Sequence, residues 1–147
     1  MHALNKMNAI VRAGNLFRAT RLSGTGISPC DRPYLFYICH HEGVSQDTLR
    51  GALFVNKSSV ARRLAHLEKE GFVIRTPDPN DRRVLLVSPT EKAREILPLL
   101  RDMAHEWNGI ITEGFTKEDV DTFSALLSRA FENAQKTAKE LVDETDL

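Results

Sequence analysis

The sequence predicts a mainly α fold with one small β-hairpin, an α+β arrangement in which the hairpin projects from packed helices. Apolar residues recur at helical spacing through most of the 147 residues. Two short runs rich in branched residues stand side by side in the middle of the chain. The segment between them, Pro77-Asp78-Pro79-Asn80-Asp81-Arg82-Arg83, is polar and proline-rich and reads as a hairpin tip. A hydrophobic share of 41% and a charged share of 27% suit one domain that buries its core without staples. No apolar run approaches the roughly 18 residues of a membrane span, so no membrane partner is expected. The N-terminal stretch lacks a long apolar segment and a cleavage-like site, so no secretion signal is expected. Cys30 and Cys39 alone make no disulfide framework, and a reducing cytoplasm is the natural home.

In chain order, Leu4, Met7, Ile10, Val11 and Phe17 give residues 4–22 a helical period, broken by Ser23-Gly24-Thr25-Gly26. Ser28-Pro29-Cys30-Asp31 opens a second helix, with Ser28 as N-cap, Pro29 at the first position and an acid at the third. Its apolar run Tyr34–Cys39 predicts burial on most sides, and His40-His41-Glu42-Gly43 ends it. Ser45 caps a short third helix with Leu49, Ala52 and Leu53 on one face. Asn56 caps a fourth, whose Val60, Leu64 and Leu67 fall at i, i+4 and i+7, and Gly71 is placed to end it. The two strands follow at 72–76 and 84–88. Residues 90–112 are helical again with a kink expected at Pro98. Thr116-Lys117-Glu118-Asp119 starts a final long helix carrying Val120, Phe123, Leu127, Ala130, Ala134 and Leu141.

Net charge is zero, yet residues 50–83 hold eight bases against four acids, while residues 113–147 hold four bases against nine acids. A polyanion would therefore meet the middle of the chain. Two short helices, a three-residue joint and a hairpin describe a winged helix-turn-helix, whose second helix lies in the DNA major groove. With Val60, Leu64 and Leu67 inward, the outer face of the fourth helix is expected to offer Lys57, Ser58, Ser59, Arg62, Arg63 and His66. The helix start supplies donors for phosphate, and Arg62 has the fork that spans a guanine edge. At the tip, Arg83 suits a narrow minor groove with Asp81 fixing its direction, and Arg82 suits phosphate. A solvated helix face and an exposed charged turn would each have the same composition. Their succession at this spacing favours nucleic acid.

These residues resemble the MarR family of transcription regulators. The resemblance runs from Val44-Ser45-Gln46-Asp47-Thr48-Leu49 through Asn56-Lys57-Ser58-Ser59-Val60-Ala61-Arg62 and Leu67-Glu68-Lys69-Glu70-Gly71-Phe72-Val73 to Asp78-Pro79-Asn80-Asp81-Arg82-Arg83. It implies a homodimer on pseudo-palindromic double-stranded DNA, a repressor released by a small molecule or, second, by an oxidant or zinc. Ser58, Ser59 and Arg62 match the family's recognition-helix contacts, and Asp81 and Arg83 its wing pair; Ser45 joins the DNA-contact set at the start of the third helix. The implied organisation of residues 1–147 is a winged DNA-binding lobe at 28–90, with 1–22 and 90–147 as N- and C-terminal dimerisation helices. A nucleoid-associated protein of a bacterial or archaeal cytosol is expected. The alternative is a winged-helix adaptor for other proteins that has given up DNA, which would be expected to lose the basic residues retained here.

For the effector, Tyr34, Tyr37, Met103 and Trp107 are candidate pocket residues between lobe and dimer helices, although side chains so spaced are more often core. Cys30, in the first turn of the second helix, is a redox candidate, since a helix N-terminus favours thiolate. His40, His41 and His105 are weak metal candidates, since zinc needs three or four convergent donors. No cofactor is expected, and no enzyme: Gly24-Thr25-Gly26 lacks a third glycine and His105-Glu106-Trp107-Asn108-Gly109 lacks the second histidine of a zinc protease.

Overall fold

A computed structural model describes residues 2–145. It has two compact units, divided between Trp107 and Asn108. In the first, α1 (Ala3–Leu22) leads through a turn to a 3₁₀ turn at Pro29–Asp31, then α2 (Arg32–His40), β1 (Val44–Ser45), α3 (Gln46–Leu53), α4 (Lys57–Lys69), β2 (Val73–Pro77) and β3 (Leu85–Pro89). The helix α5 (Glu91–Ile111) begins there, and α6 (Lys117–Thr145) belongs to the second unit. The mainly α fold with a small hairpin is thus what forms. No helix among the described residues is long and apolar enough to cross a membrane.

The strands form an antiparallel sheet in the order β1-β3-β2, with Val73 opposite Pro89 and Pro77 opposite Leu85. The hairpin is therefore accompanied by a third strand: Val44 and Ser45 pair with Val87 and Leu86. Two residues are too short to show a period of two in the sequence, and only the pairing reveals them. The core of the first unit joins Leu35 and Ile38 of α2, Leu49 of α3, Val60, Leu64 and Leu67 of α4, Phe72 and Val73 at the sheet, and Leu100 and Met103 of α5. Each helix brings one apolar stripe to this cluster, which fixes the rotation of α4 and so the side chains it shows to solvent.

The second helix starts differently from its sequence prediction. Pro33 has no N–H to donate four residues back, so Pro29–Asp31 closes as a 3₁₀ turn through Asp31 N–H to Ser28 carbonyl at 3.0 Å. Cys30 consequently lies in that turn and not in the first turn of an α-helix. Pro98 lies inside a helix that runs unbroken from Glu91 to Ile111. At the joint between α3 and α4, Phe54 takes φ 53° and ψ 44°, left-handed backbone that a bulky side chain seldom adopts. In the second unit Thr116 and Asp119 cap α6 reciprocally: Thr116 N–H donates to Asp119 Oδ2 at 2.9 Å and Asp119 N–H to Thr116 Oγ1 at 3.1 Å. Those bonds hold the Asp119 carboxyl below its ordinary range.

Candidate nucleic-acid interface

The start of α4 is built by Asn56, whose side-chain oxygen accepts from Ser59 N–H at 2.8 Å and from Ser58 Oγ at 2.9 Å. Val60, Leu64 and Leu67 are buried, so Lys57, Ser58 and Arg62 are exposed and Ser59 is half-buried. The Arg62 guanidinium has no side-chain partner among the described residues, while the helix start beside it concentrates free N–H donors and the positive dipole end. Ser45, half-buried at the start of α3, accepts from Thr48 N–H at 3.0 Å and donates to Thr48 Oγ1 at 2.8 Å.

At the hairpin tip Asp81 holds Arg83 in a fork. Arg83 Nε donates to Oδ1 at 3.0 Å and Nη2 to Oδ2 at 3.1 Å, with Arg83 N–H on Oδ1 as well. The guanidinium and then the backbone bond hold the Asp81 carboxyl below its ordinary range. The Arg83 side chain stays 90% exposed, so the pair aims a cation without covering it. Arg82 beside it is exposed. Lys57 and Arg83 line one cleft of about 260 Å3 together with Gln46, Arg50 and Val60, which brings the start of α4 and the wing to one surface.

Arg75 of β2 fixes that juxtaposition, a role the sequence reading missed. It donates through Nη2 to Glu68 Oε2 at 2.8 Å and through Nη1 to Gln46 Oε1 at 3.3 Å, joining the wing to α4 and α3. The Glu68 carboxyl is held below its ordinary range chiefly by that side-chain bond. Residues 68 and 75 are in different elements, so no periodicity pairs them in advance.

Two of the expected outer-face residues lie elsewhere. Arg63 turns to the 3₁₀ turn, donating through Nη1 to Asp31 Oδ1 and to Ser28 Oγ, each at 3.1 Å. His66 Nε2 lies 3.0 Å from the Gly26 carbonyl. The reason is rotation: both residues flank the apolar stripe of α4, where the 26–31 segment packs against the helix, and Asp31 there is fully buried and attracts the cation.

The MarR family model matches residues 25–84, which contain the whole helix-turn-helix and the hairpin tip. The protein YybA of Bacillus subtilis (strain 168), an uncharacterized HTH-type transcriptional regulator, is 33% identical over 103 residues, 70% of this chain and 69% of its own. This chain belongs to the MarR family. A SlyA-like transcription regulator of Listeria monocytogenes superposes with a TM-score of 0.90 at 23% identity, covering 97% of this chain and 95% of the other. A second Listeria monocytogenes MarR-family regulator, solved with a 26mer DNA, superposes at 0.85 and 23% identity over 97% and 95%. The chain is a transcription regulator and not an enzyme.

The sensing candidates of this MarR-family chain have separate settings. Tyr34 lines a cavity of about 600 Å3 with Cys30, Pro33, Leu53, Val55, Ser59, Arg62 and Arg63. Met103 is closed core, Tyr37 stacks on His41 at 4.1 Å, and Trp107 packs on Phe17 at 5.5 Å. Cys30 is exposed, whereas Cys39 is half-buried and burial pushes its thiol up. His40 and His41 each turn Nδ1 to a carbonyl one helical turn back, of Phe36 and Tyr37. His105 is exposed on α5, and among the described residues no three metal-ligating side chains converge.

Proposed function

We propose that the chain binds double-stranded DNA as a homodimer, with α4 in the major groove and the 78–83 wing on the adjacent minor groove, and represses transcription until a small molecule releases it. One observation supports this above the others: the start of α4 at Lys57 and the aimed Arg83 line one cleft, with Arg62 exposed further along the same helix. Ser45, Lys57, Ser58 and Ser59 would position phosphates, Arg62 would read a base edge, and Asp81 would aim Arg83 while Arg82 meets the backbone. The fold neighbour solved with a 26mer DNA supports the same reading. The lobe in this scheme is 28–90, and residues 1–22 and 90–147 form the dimer. The dimer is supported by apolar side chains left exposed on α1 (Leu4, Met7, Ile10, Val11) and on α6 (Leu126, Leu127, Phe131).

Selection of sites from random duplex DNA at near-physiological salt tests the proposal. The expected result is an inverted repeat with half-sites about one helical turn apart. Weak, salt-sensitive binding without enrichment, unchanged by metal or reductant, would overturn it in favour of a protein-interaction adaptor.

A further inference from the structure

Asp31 is a fully buried charged residue of the first unit, held locally by Ser28 and joined to one flank of α4 by Arg63. Its Oδ2 accepts from Ser28 N–H at 2.7 Å and from Ser28 Oγ at 3.0 Å, and its Oδ1 accepts from Arg63 Nη1 at 3.1 Å. His66 Nε2 is 3.8 Å from the same carboxylate and 3.0 Å from the Gly26 carbonyl. Glu70 packs on Gly26, where a Cβ would stand 2.5 Å from Glu70 Oε2. Arg63, His66 and Glu70 fall at i, i+3 and i+7, a single stripe along α4. The 26–31 segment is therefore bonded to that stripe at Arg63 and His66 and packed against it at Glu70, the residue that caps α4, while Arg62 makes none of these contacts.

We infer that Asp31 is a positioning residue for DNA reading: by holding Arg63 it pins one flank of α4 to the 26–31 segment and keeps one guanidinium off the phosphates. The inference rests on the DNA-binding reading above. A buried carboxylate with three donors is a stiff anchor, because moving Arg63 away leaves an uncompensated charge in the interior. An Arg released next to Arg62 would add a sequence-independent phosphate contact to a helix whose selectivity depends on base contacts. The carboxylate thus favours discrimination over raw affinity.

The test is Asp31→Asn in the full-length protein, with affinity for a selected site and for unrelated duplex DNA measured across a salt series. The expected result is a specific-to-unrelated ratio lowered about tenfold. The slope of log affinity against log salt should steepen by about 0.9, the value of one added phosphate. Arg63→Gln should lower the ratio without steepening the slope, and Asp31→Asn on that background should change neither further. A merely structural role would lower both affinities together at unchanged slope, and that outcome, or no change, overturns the inference. If Asp31→Asn does not give a cooperative thermal transition, Arg63→Gln decides alone, with an unchanged ratio overturning it. Wild-type protein without preference for any selected site would instead sink the DNA-binding reading, and the positioning role with it.

Discussion

Arg62 and Arg63 are adjacent, chemically identical, and do different work. Arg62 points to solvent with no described side-chain partner, whereas Arg63 is 32% exposed and held by the fully buried Asp31. A rotation of about 100° along α4 separates them. The pair teaches that a basic helix face cannot be counted by composition: one cation is available to a ligand and its neighbour is part of the scaffold. The same contrast holds at larger scale. The wing tip aims Arg83 outward through Asp81, while Arg75 of the same hairpin is spent joining α3, α4 and β2.

The largest expected effect breaks the contrast directly. Arg63→Ala strands Asp31 and should cost about 3 kcal/mol of stability, the low end for a broken buried pair because Arg63 is partly exposed. Arg62→Ala should stay within about 0.5 kcal/mol of wild type in the same urea titration. Equal losses would erase the distinction between the two arginines. Next, Arg62→Ala should lose about 1–3 kcal/mol of discrimination at one base position, read by competition between selected site variants. An evenly spread loss over all variants would reassign Arg62 to phosphate.

A smaller effect belongs to the anchoring segment. Gly26 sits at φ 81° with Glu70 against its Cα. Gly26→Ala should destabilise by about 1–2 kcal/mol through the left-handed backbone alone, and a melt unchanged from wild type would count against the 26–31 segment being held there. Arg83→Ala should weaken all DNA sequences nearly alike and flatten the salt slope by about 0.9, with selectivity mostly kept; loss of selectivity in step with affinity would make the wing a base reader. The smallest effect is in acid. Glu68 and Asp81 are held below their ordinary range by Arg75 and Arg83. Their contribution is complete above the ordinary carboxylate values and lost as the pH falls through the lowered ones, so the melting temperature should drop below about pH 4. Glu68→Gln should make that drop shallower.

Much of the lobe was legible because local rules fix it. Asn56 is followed by the apolar stripe of Val60, Leu64 and Leu67, and the cap and the stripe together set where α4 begins and which side it buries. Asp81 and Arg83 are two residues apart in a turn, so their pairing is local too. Arg63 was misread because it flanks the stripe, about 40° from Leu67 around the helix, and a flank is exposed or covered according to what packs there. An acid 32 residues earlier decided that, and a capping acid at the start of a helix gives no sign that it will be buried.

What the sequence by itself determined is therefore the set of helices, the hairpin, the basic middle of the chain and the family. All of these rest on spacing within one element or on an ordered run of motifs. The tertiary structure decided the third strand at Val44–Ser45, the Arg75 joint and the withdrawal of Arg63 and His66 from the outer face. Each of these depends on a partner far along the chain. Burial beside that partner, not the residue's own chemistry, determines whether a charge meets solvent or completes the scaffold.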